Sequence, residues 1–186
     1  MEKHKLYMIM LGCTPPGRHT EQHDIYFTFS TTLEDTIPGI KAFWPEAKGK
    51  IHIDAWREVN VVDGFKVTVV AKNEVPEPAD LKLFFINLGG YKPGEFDEPH
   101  YKLLIVAPDM AAAIKQAKQT AFYKHTGFAG ATSHIDDRYG VDVDDVFEVH
   151  DILPTTIREN FSLLITEAKD EMPDAFNLGY LKLFKS

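Results

Sequence analysis

The sequence predicts an α+β fold of two tandem ββαββ-type repeats related by a pseudo-twofold axis, with mainly antiparallel sheets and helices packed on one face. Two observations predict it. When residues 6–41 are set against residues 83–118 without gaps, 10 of the 36 positions are identical, whereas average composition gives about two by chance. Within each repeat, apolar runs of strand length alternate with turn signals around one helical pattern, and no long βαβ run predicts a parallel sheet.

Each repeat begins with two strands joined by a turn. The first strands are Leu6–Leu11 and Leu83–Leu88, and the returning strands are Ile25–Phe29 and Tyr101–Val106, which are rich in aromatic and β-branched residues. Between them, Pro-Gly pairs predict turns in which proline presets φ and glycine supplies a positive φ. The glycines assigned to these turns are Gly12, Gly17, Gly89 and Gly94.

A helix follows the second strand of each repeat. In the second repeat Asp109 is a good N-cap, and the apolar residues that follow it recur at helical spacing. In the first repeat Thr31 and Glu34 have the spacing of a capping box. Pro38 and Gly39 interrupt the apolar stripe, so we expect a short or bent first helix.

The remaining strands complete the predicted sheets. Asp63-Gly64 is a strong two-residue hairpin signal between Val59–Val62 and Phe65–Val70, and the tail offers strands at 161–166 and 178–184. The chain is therefore divided into a first repeat (5–72), a linker (73–81), a second repeat (82–150) and C-terminal strands that complete the sheet (151–186), within one compact domain. Read from Ile25, the same elements also fit paired βαβββ modules, as in glyoxalase-like proteins.

Composition limits the classes of partner. Acidic residues outnumber basic ones 28 to 20, giving a net charge of −8, which is a poor match to nucleic acid or an anionic membrane. The one cysteine, Cys13, cannot form an internal disulfide, which suits a reducing compartment. The first apolar run is too short to span a bilayer and no cleavage signal follows it, so we expect a cytoplasmic protein.

Two short motifs carry the candidate chemistry. Residues i and i+2 of a strand point to the same face, so Glu-x-His and His-x-Asp each project two polar side chains together. The residues concerned are Glu21, His23, His52, Asp54, Glu98, His100, His134 and Asp136. Trp56 follows the first His-Ile-Asp and is expected to line any site there. These sets fit a hydrogen-bonded network that ties a turn to a strand, which we favour, or a divalent metal or acid–base site.

The combined motif also resembles a known family. Leu-Gly-x-x-x-Pro-Gly-x-x-x-Glu-x-His, a helix, and then His-Ile-Asp-x-Trp-x-Glu-Val with an Asp-Gly hairpin is similar to a small bacterial family catalogued as domain of unknown function 1543. That family occurs as one or two copies per chain. The resemblance implies a tandem bacterial protein and brings no assigned reaction, substrate or cofactor.

These observations favour a non-catalytic module that binds a small ligand or a protein partner in the groove between the two repeats, and they leave homo-oligomer formation open. The alternative is a metal-dependent enzyme that uses the repeated Glu-x-His and His-x-Asp sets. The sequence does not decide whether the chain is an enzyme, and it names no cofactor, a divalent metal ion being the less favoured ligand.

Overall fold

The computed structural model describes residues 3–75, 79–89, 96–125, 142–168 and 171–183. The strands in these ranges are β1 (Lys5–Cys13), β2 (Gln22–Ser30), β3 (His52–Val59), β4 (Val61–Val62), β5 (Phe65–Ala71), β6 (Lys82–Gly89), β7 (His100–Ala107), β8 (Asp142–Glu148), β9 (Phe161–Glu167) and β10 (Asn177–Lys182). The α-helices are α1 (Ile37–Phe43), α2 (Met110–His125) and α3 (Thr155–Arg158). The strand pairs are antiparallel, so the chain has the predicted α+β class.

The chain forms two compact units, one of residues 1–77 with 153–186 and one of residues 78–152. The first unit contains a four-stranded sheet in the order β10-β3-β1-β2 and a three-stranded sheet in the order β4-β5-β9. β1 lies inside the larger sheet because its side chains are apolar on both faces, as a strand covered on both sides requires. The core against which α1 and Trp56 pack includes Tyr7, Ile9, Leu11, Cys13, Tyr26, Ile40 and Ile53.

Local signals specify the turns of the first unit. Arg18 N donates to Pro15 O at 3.2 Å, and Gly17 has a φ of 80°, which is the turn predicted there. The hairpin between β4 and β5 has positive φ at both Asp63 and Gly64, as a type I′ turn requires.

The start of the first helix differs from the prediction. Thr31 and Glu34 do not form a capping box; the reciprocal pair lies one residue later, where Asp35 N donates to Thr32 Oγ1 at 3.3 Å and Thr32 Oγ1 donates to Asp35 Oδ2 at 2.7 Å. The shift follows from a 3₁₀ turn over Glu34–Thr36 that precedes α1. α1 itself has seven residues, as short as Pro38 and Gly39 predict.

The second unit contains a three-stranded sheet in the order β7-β6-β8, with α2 packed on it. Asp109 caps α2 as predicted, since Ala112 N donates to Asp109 Oδ1 at 2.8 Å. The core of this unit consists of Phe84, Ile86, Leu88, Ile105, Ala107, Ala113 and Ala117. No helix in the described ranges of the chain is long and apolar enough to cross a membrane.

Candidate functional site

The site begins at one end of β1, where a glycine separates two histidines. In the strand register Gly12 lies opposite His23 of β2 and opposite His52 of β3. Residues directly opposite each other in antiparallel strands share a face of the sheet. Both imidazoles therefore flank the bare backbone of Gly12 on one face.

A β-bulge brings a carboxylate to the same place. Leu11 lies opposite Ile53 and Met10 lies opposite Ala55, which leaves Asp54 as the extra residue of β3. Such a bulge re-aims a side chain, and Asp54 contacts both imidazoles. Its Oδ1 is 3.2 Å from His52 Nε2, and its Oδ2 is 3.4 Å from His23 Nε2.

The second carboxylate comes from the residue just before β2. Glu21 Oε1 is 3.1 Å from His52 Nε2, and Glu21 Oε2 is 3.7 Å from His23 Nε2. Each carboxylate thus contacts both imidazoles. We refer to Glu21, His23, His52 and Asp54 as the His/carboxylate cluster; the structure brings together these four of the residues that the sequence singles out in this unit.

The cluster has a buried floor and an open rim. The side chains of His52 and Asp54 are 9% and 21% exposed, whereas those of His23 and Glu21 are 41% and 44% exposed. Asp54 Oδ2 is buried and has no hydrogen-bond partner. The nearest basic atom to this oxygen is His23 Nε2, at 3.4 Å.

Gly12 forms the floor of the cluster, which corrects its assignment to a turn. Gly12 and Gly89 lie within β1 and β6, and neither has a positive φ. A Cβ added at Gly12 would overlap Asp54 Oδ2 and His52 Nε2. The glycine is therefore required by close approach of these side chains rather than by backbone conformation.

Sequence reasoning missed Tyr180, whose ring centroid lies 4.3 Å from that of His52 at an interplanar angle of 38°. Tyr180 reaches this position because β10 pairs with β3, with Lys182 opposite His52. The two segments are far apart in sequence, and no local pattern signals their pairing.

Trp56 does not join the cluster, although it lies two residues after Asp54. Its register partner on β1 is Ile9, and it packs against the core with its ring 6.1 Å from that of Tyr7. The bulge at Asp54 explains this, because it changes which β3 residues share a face. Cys13 is also buried in this core, where burial raises the pKa of its thiol.

In the second unit the structure describes part of the predicted set. His100 is the first residue of β7 and lies opposite Gly89, and Glu98 is partly buried just before that strand. On the other side of Gly89 the register partner is Asp142 of β8. His134, Asp136 and Gly94 lie outside the described residues. Among the described residues, no group of three or more His, Cys, Asp or Glu side chains could hold a metal ion.

Comparison with known proteins gives a family and a fold. Across 98% of this chain and 99% of the other, the structure is similar to the crystal structure of a protein Il1583 from Idiomarina loihiensis, with a TM-score of 0.61 and 21% sequence identity. At that identity the likeness shows the fold alone. No curated protein matched the chain. Residues 18–69, which include the whole His/carboxylate cluster, match the model of the Domain of Unknown Function (DUF1543) family.

Proposed function

We propose that this protein is a non-catalytic binding module and that the His/carboxylate cluster of its first unit takes up a small cation. The ligand enters at the rim formed by Glu21 and His23 and reaches the floor at Gly12. With its imidazoles neutral the cluster carries two negative charges, which favours a positively charged ligand.

The observation that carries the proposal is the buried Asp54 Oδ2 without a hydrogen-bond partner. Buried polar groups in folded proteins are nearly always paired, and an unpaired carboxylate oxygen at the base of an open site is satisfied by a bound cation. The thiol of Cys13 belongs to the opposite, core face and takes no part in the site.

A thermal-unfolding panel tests the proposal. Tag-free protein is first treated with chelator, and its unfolding is then followed with added divalent metal chlorides or small organic ammonium salts. A cation at 100 times its Kd raises the free energy of unfolding by about 2.7 kcal/mol. Asp54→Asn should abolish this stabilisation, whereas Glu46→Gln, which removes one exposed charge outside the cluster, should retain it. A panel in which no cation stabilises the protein contradicts the proposal.

A second candidate is self-association through β10. In the described part of the chain β10 pairs only with β3, and Leu178, Tyr180 and Leu181 are exposed on it. A twofold axis at Gly179 would place Leu178 opposite the partner's Tyr180 and pair the free backbone edges. Light scattering should then show a concentration-dependent dimer that Leu178→Lys removes, and a monomer at all concentrations contradicts this candidate.

A further inference from the structure

We infer that the cation taken up by the His/carboxylate cluster is the ammonium end of an elongated zwitterion. The apolar middle of this ligand lies along β10, and its carboxylate binds Arg57. A short extended peptide with free termini has this chemistry. The inference rests on the proposed function and specifies its ligand.

Arg57 lies on the same face of the four-stranded sheet as the cluster. On β1, Met8 is opposite Arg57 and Gly12 is opposite His52, and residues four apart on one strand share a face. At about 3.4 Å per residue, these two positions on β1 are about 13–14 Å apart. An extended peptide of four residues spans about the same length.

Arg57 is a partly buried cation, and none of the ion pairs between described side chains includes it. Its Nε is buried and has no hydrogen-bond partner. The carboxylate of Asp174 accepts instead from Asn60 N and Val61 N, at 2.9 and 3.2 Å. Burial lowers the pKa of Arg57, and the charges of Asp174 and Asp63 only partly oppose this effect. A ligand carboxylate would pair with the planar guanidinium through two parallel hydrogen bonds.

Three exposed apolar side chains connect the two charged ends. Phe176, Leu178 and Tyr180 alternate along residues 176–180 and are 67%, 79% and 62% exposed. The ring centroid of Phe176 is 5.0 Å from Arg57 Cζ, and the ring of Tyr180 lies against His52. We refer to these three side chains as the β10 stripe. A ligand that covers it removes apolar surface from water between a negative end and a positive end.

The charges at the two ends determine the direction of the ligand. Glu21 is half-exposed at the rim, so its carboxylate accepts hydrogen bonds from an ammonium group without rearrangement of the cluster. A ligand with only a positive charge would leave Arg57 unpaired. A ligand with only a negative charge would be repelled by the carboxylates of the cluster. An elongated zwitterion satisfies both ends when its amine is at the cluster and its carboxylate is at Arg57.

Tetraalanine and its capped forms test the inference. Tag-free, chelator-treated protein at low ionic strength is titrated in a calorimeter with tetraalanine that has free termini, with its C-terminal amide and with its N-acetyl form. Each capped form should bind about tenfold or more weakly than the free peptide, because it loses a charge-assisted contact. In Arg57→Gln, the free peptide and the amide should differ by about twofold at most.

Two further variants serve as controls. Arg18→Gln removes an exposed arginine from the turn before β2 and should keep the full difference between the free peptide and the amide. Circular dichroism checks that Arg57→Gln folds. Leu178→Ser changes a highly exposed side chain in the middle of the β10 stripe, so it should fold in any case and weaken binding of the free peptide by about threefold or more.

The outcomes separate this inference from the proposed function. If small ammonium salts stabilise the protein, but tetraalanine and its amide bind equally or not at all, the elongated ligand is wrong and cation binding stands. If neither ammonium salts nor tetraalanine bind, both are wrong. A dimer that covers the β10 stripe and excludes tetraalanine also overturns the inference.

Discussion

Replacing Gly12 by alanine tests whether the cluster depends on the bare backbone beneath it. Gly12 has an ordinary extended conformation, so alanine adds no backbone strain. Its Cβ would overlap Asp54 Oδ2 and His52 Nε2. Overpacking of this kind costs about 1–3 kcal/mol, and alanine in place of a strand glycine returns about 0.5–1 kcal/mol. We therefore expect Gly12→Ala to lower the free energy of unfolding by about 1 kcal/mol, the difference between the central values of these two effects.

A double-mutant cycle shows whether the loss comes from the cluster. In a chain that already carries His52→Ala and Asp54→Ala, the new Cβ meets neither side chain, and Gly12→Ala should raise the free energy of unfolding by about 0.5–1 kcal/mol. Urea denaturation with chelator present measures both steps. Equal losses in the two backgrounds, or no loss in the original chain, would refute the reasoning.

Gly17→Ala is the matched control. Gly17 has a φ of 80° and no atom within 4 Å of an added Cβ, so its cost comes from backbone conformation alone. That cost is about 1–2 kcal/mol, and it should be the same in both backgrounds. A cost that changes when His52 and Asp54 are removed would show that the backgrounds differ for reasons unrelated to the cluster.

Three further predictions concern packing and charge in the first unit of the chain. Gly39→Ala should destabilise α1, although alanine is the better helix former by about 1 kcal/mol, because the new Cβ would overlap the Tyr26 hydroxyl. The loss in the free energy of unfolding should be smaller in a chain that already carries Tyr26→Phe. An equal loss in both chains contradicts this cause. Burial raises the pKa of Tyr7 from 10.0 to about 12, so its contribution to stability is complete below pH 10 and is lost as the pH rises through 12. In urea denaturation across that pH range, the free energy of unfolding should fall less steeply with pH in Tyr7→Phe than in the original chain. The same pH dependence in both proteins contradicts this prediction. With chelator present, Glu21→Gln combined with Asp54→Asn should leave the free energy of unfolding unchanged or higher, whereas a loss of about 1–3 kcal/mol would indicate a purely structural network.

Local signals in the sequence predict turns and caps well because a few neighbouring residues determine them. The turn at Gly17, the hairpin at Asp63-Gly64 and the cap at Asp109 all occur where the sequence places them. The capping box at Thr31 fails by one residue, because a 3₁₀ turn and the paired threonines compete for the same helix start. Local chemistry thus indicates that a cap exists more reliably than which residue forms it.

The candidate residues could be predicted, but their arrangement could not. The i, i+2 spacing predicts that Glu21 groups with His23 and His52 with Asp54, since each pair needs only its own segment of chain. Their meeting depends on β1 lying between β2 and β3, and Tyr180 joins them only through β10. These are pairings between distant segments, which local patterns do not encode.

The duplication stays a prediction, and the described strands add one likeness between the two units. Both β1 and β6 pair with a strand on each side, and their registers shift between Met10 and Leu11 and between Asn87 and Leu88, just ahead of Gly12 and Gly89. His52 of β3 lies opposite Gly12, and Asp142 of β8 lies opposite Gly89.

The distinction between a structural network and a binding site depends on what neutralises two carboxylates held against the same imidazoles. A network that served only to tie β1, β2 and β3 together would gain most from short N–H···O bonds and from pairing every buried oxygen. In the cluster the contacts of His52 Nε2 are 3.1 and 3.2 Å and those of His23 Nε2 are 3.4 and 3.7 Å, and Asp54 Oδ2 has no hydrogen-bond partner. The strand register already holds the three strands together without these side chains. Glycine at position 12, the bulge at Asp54 and the open rim are the features on which the proposed use of this space by a ligand rests.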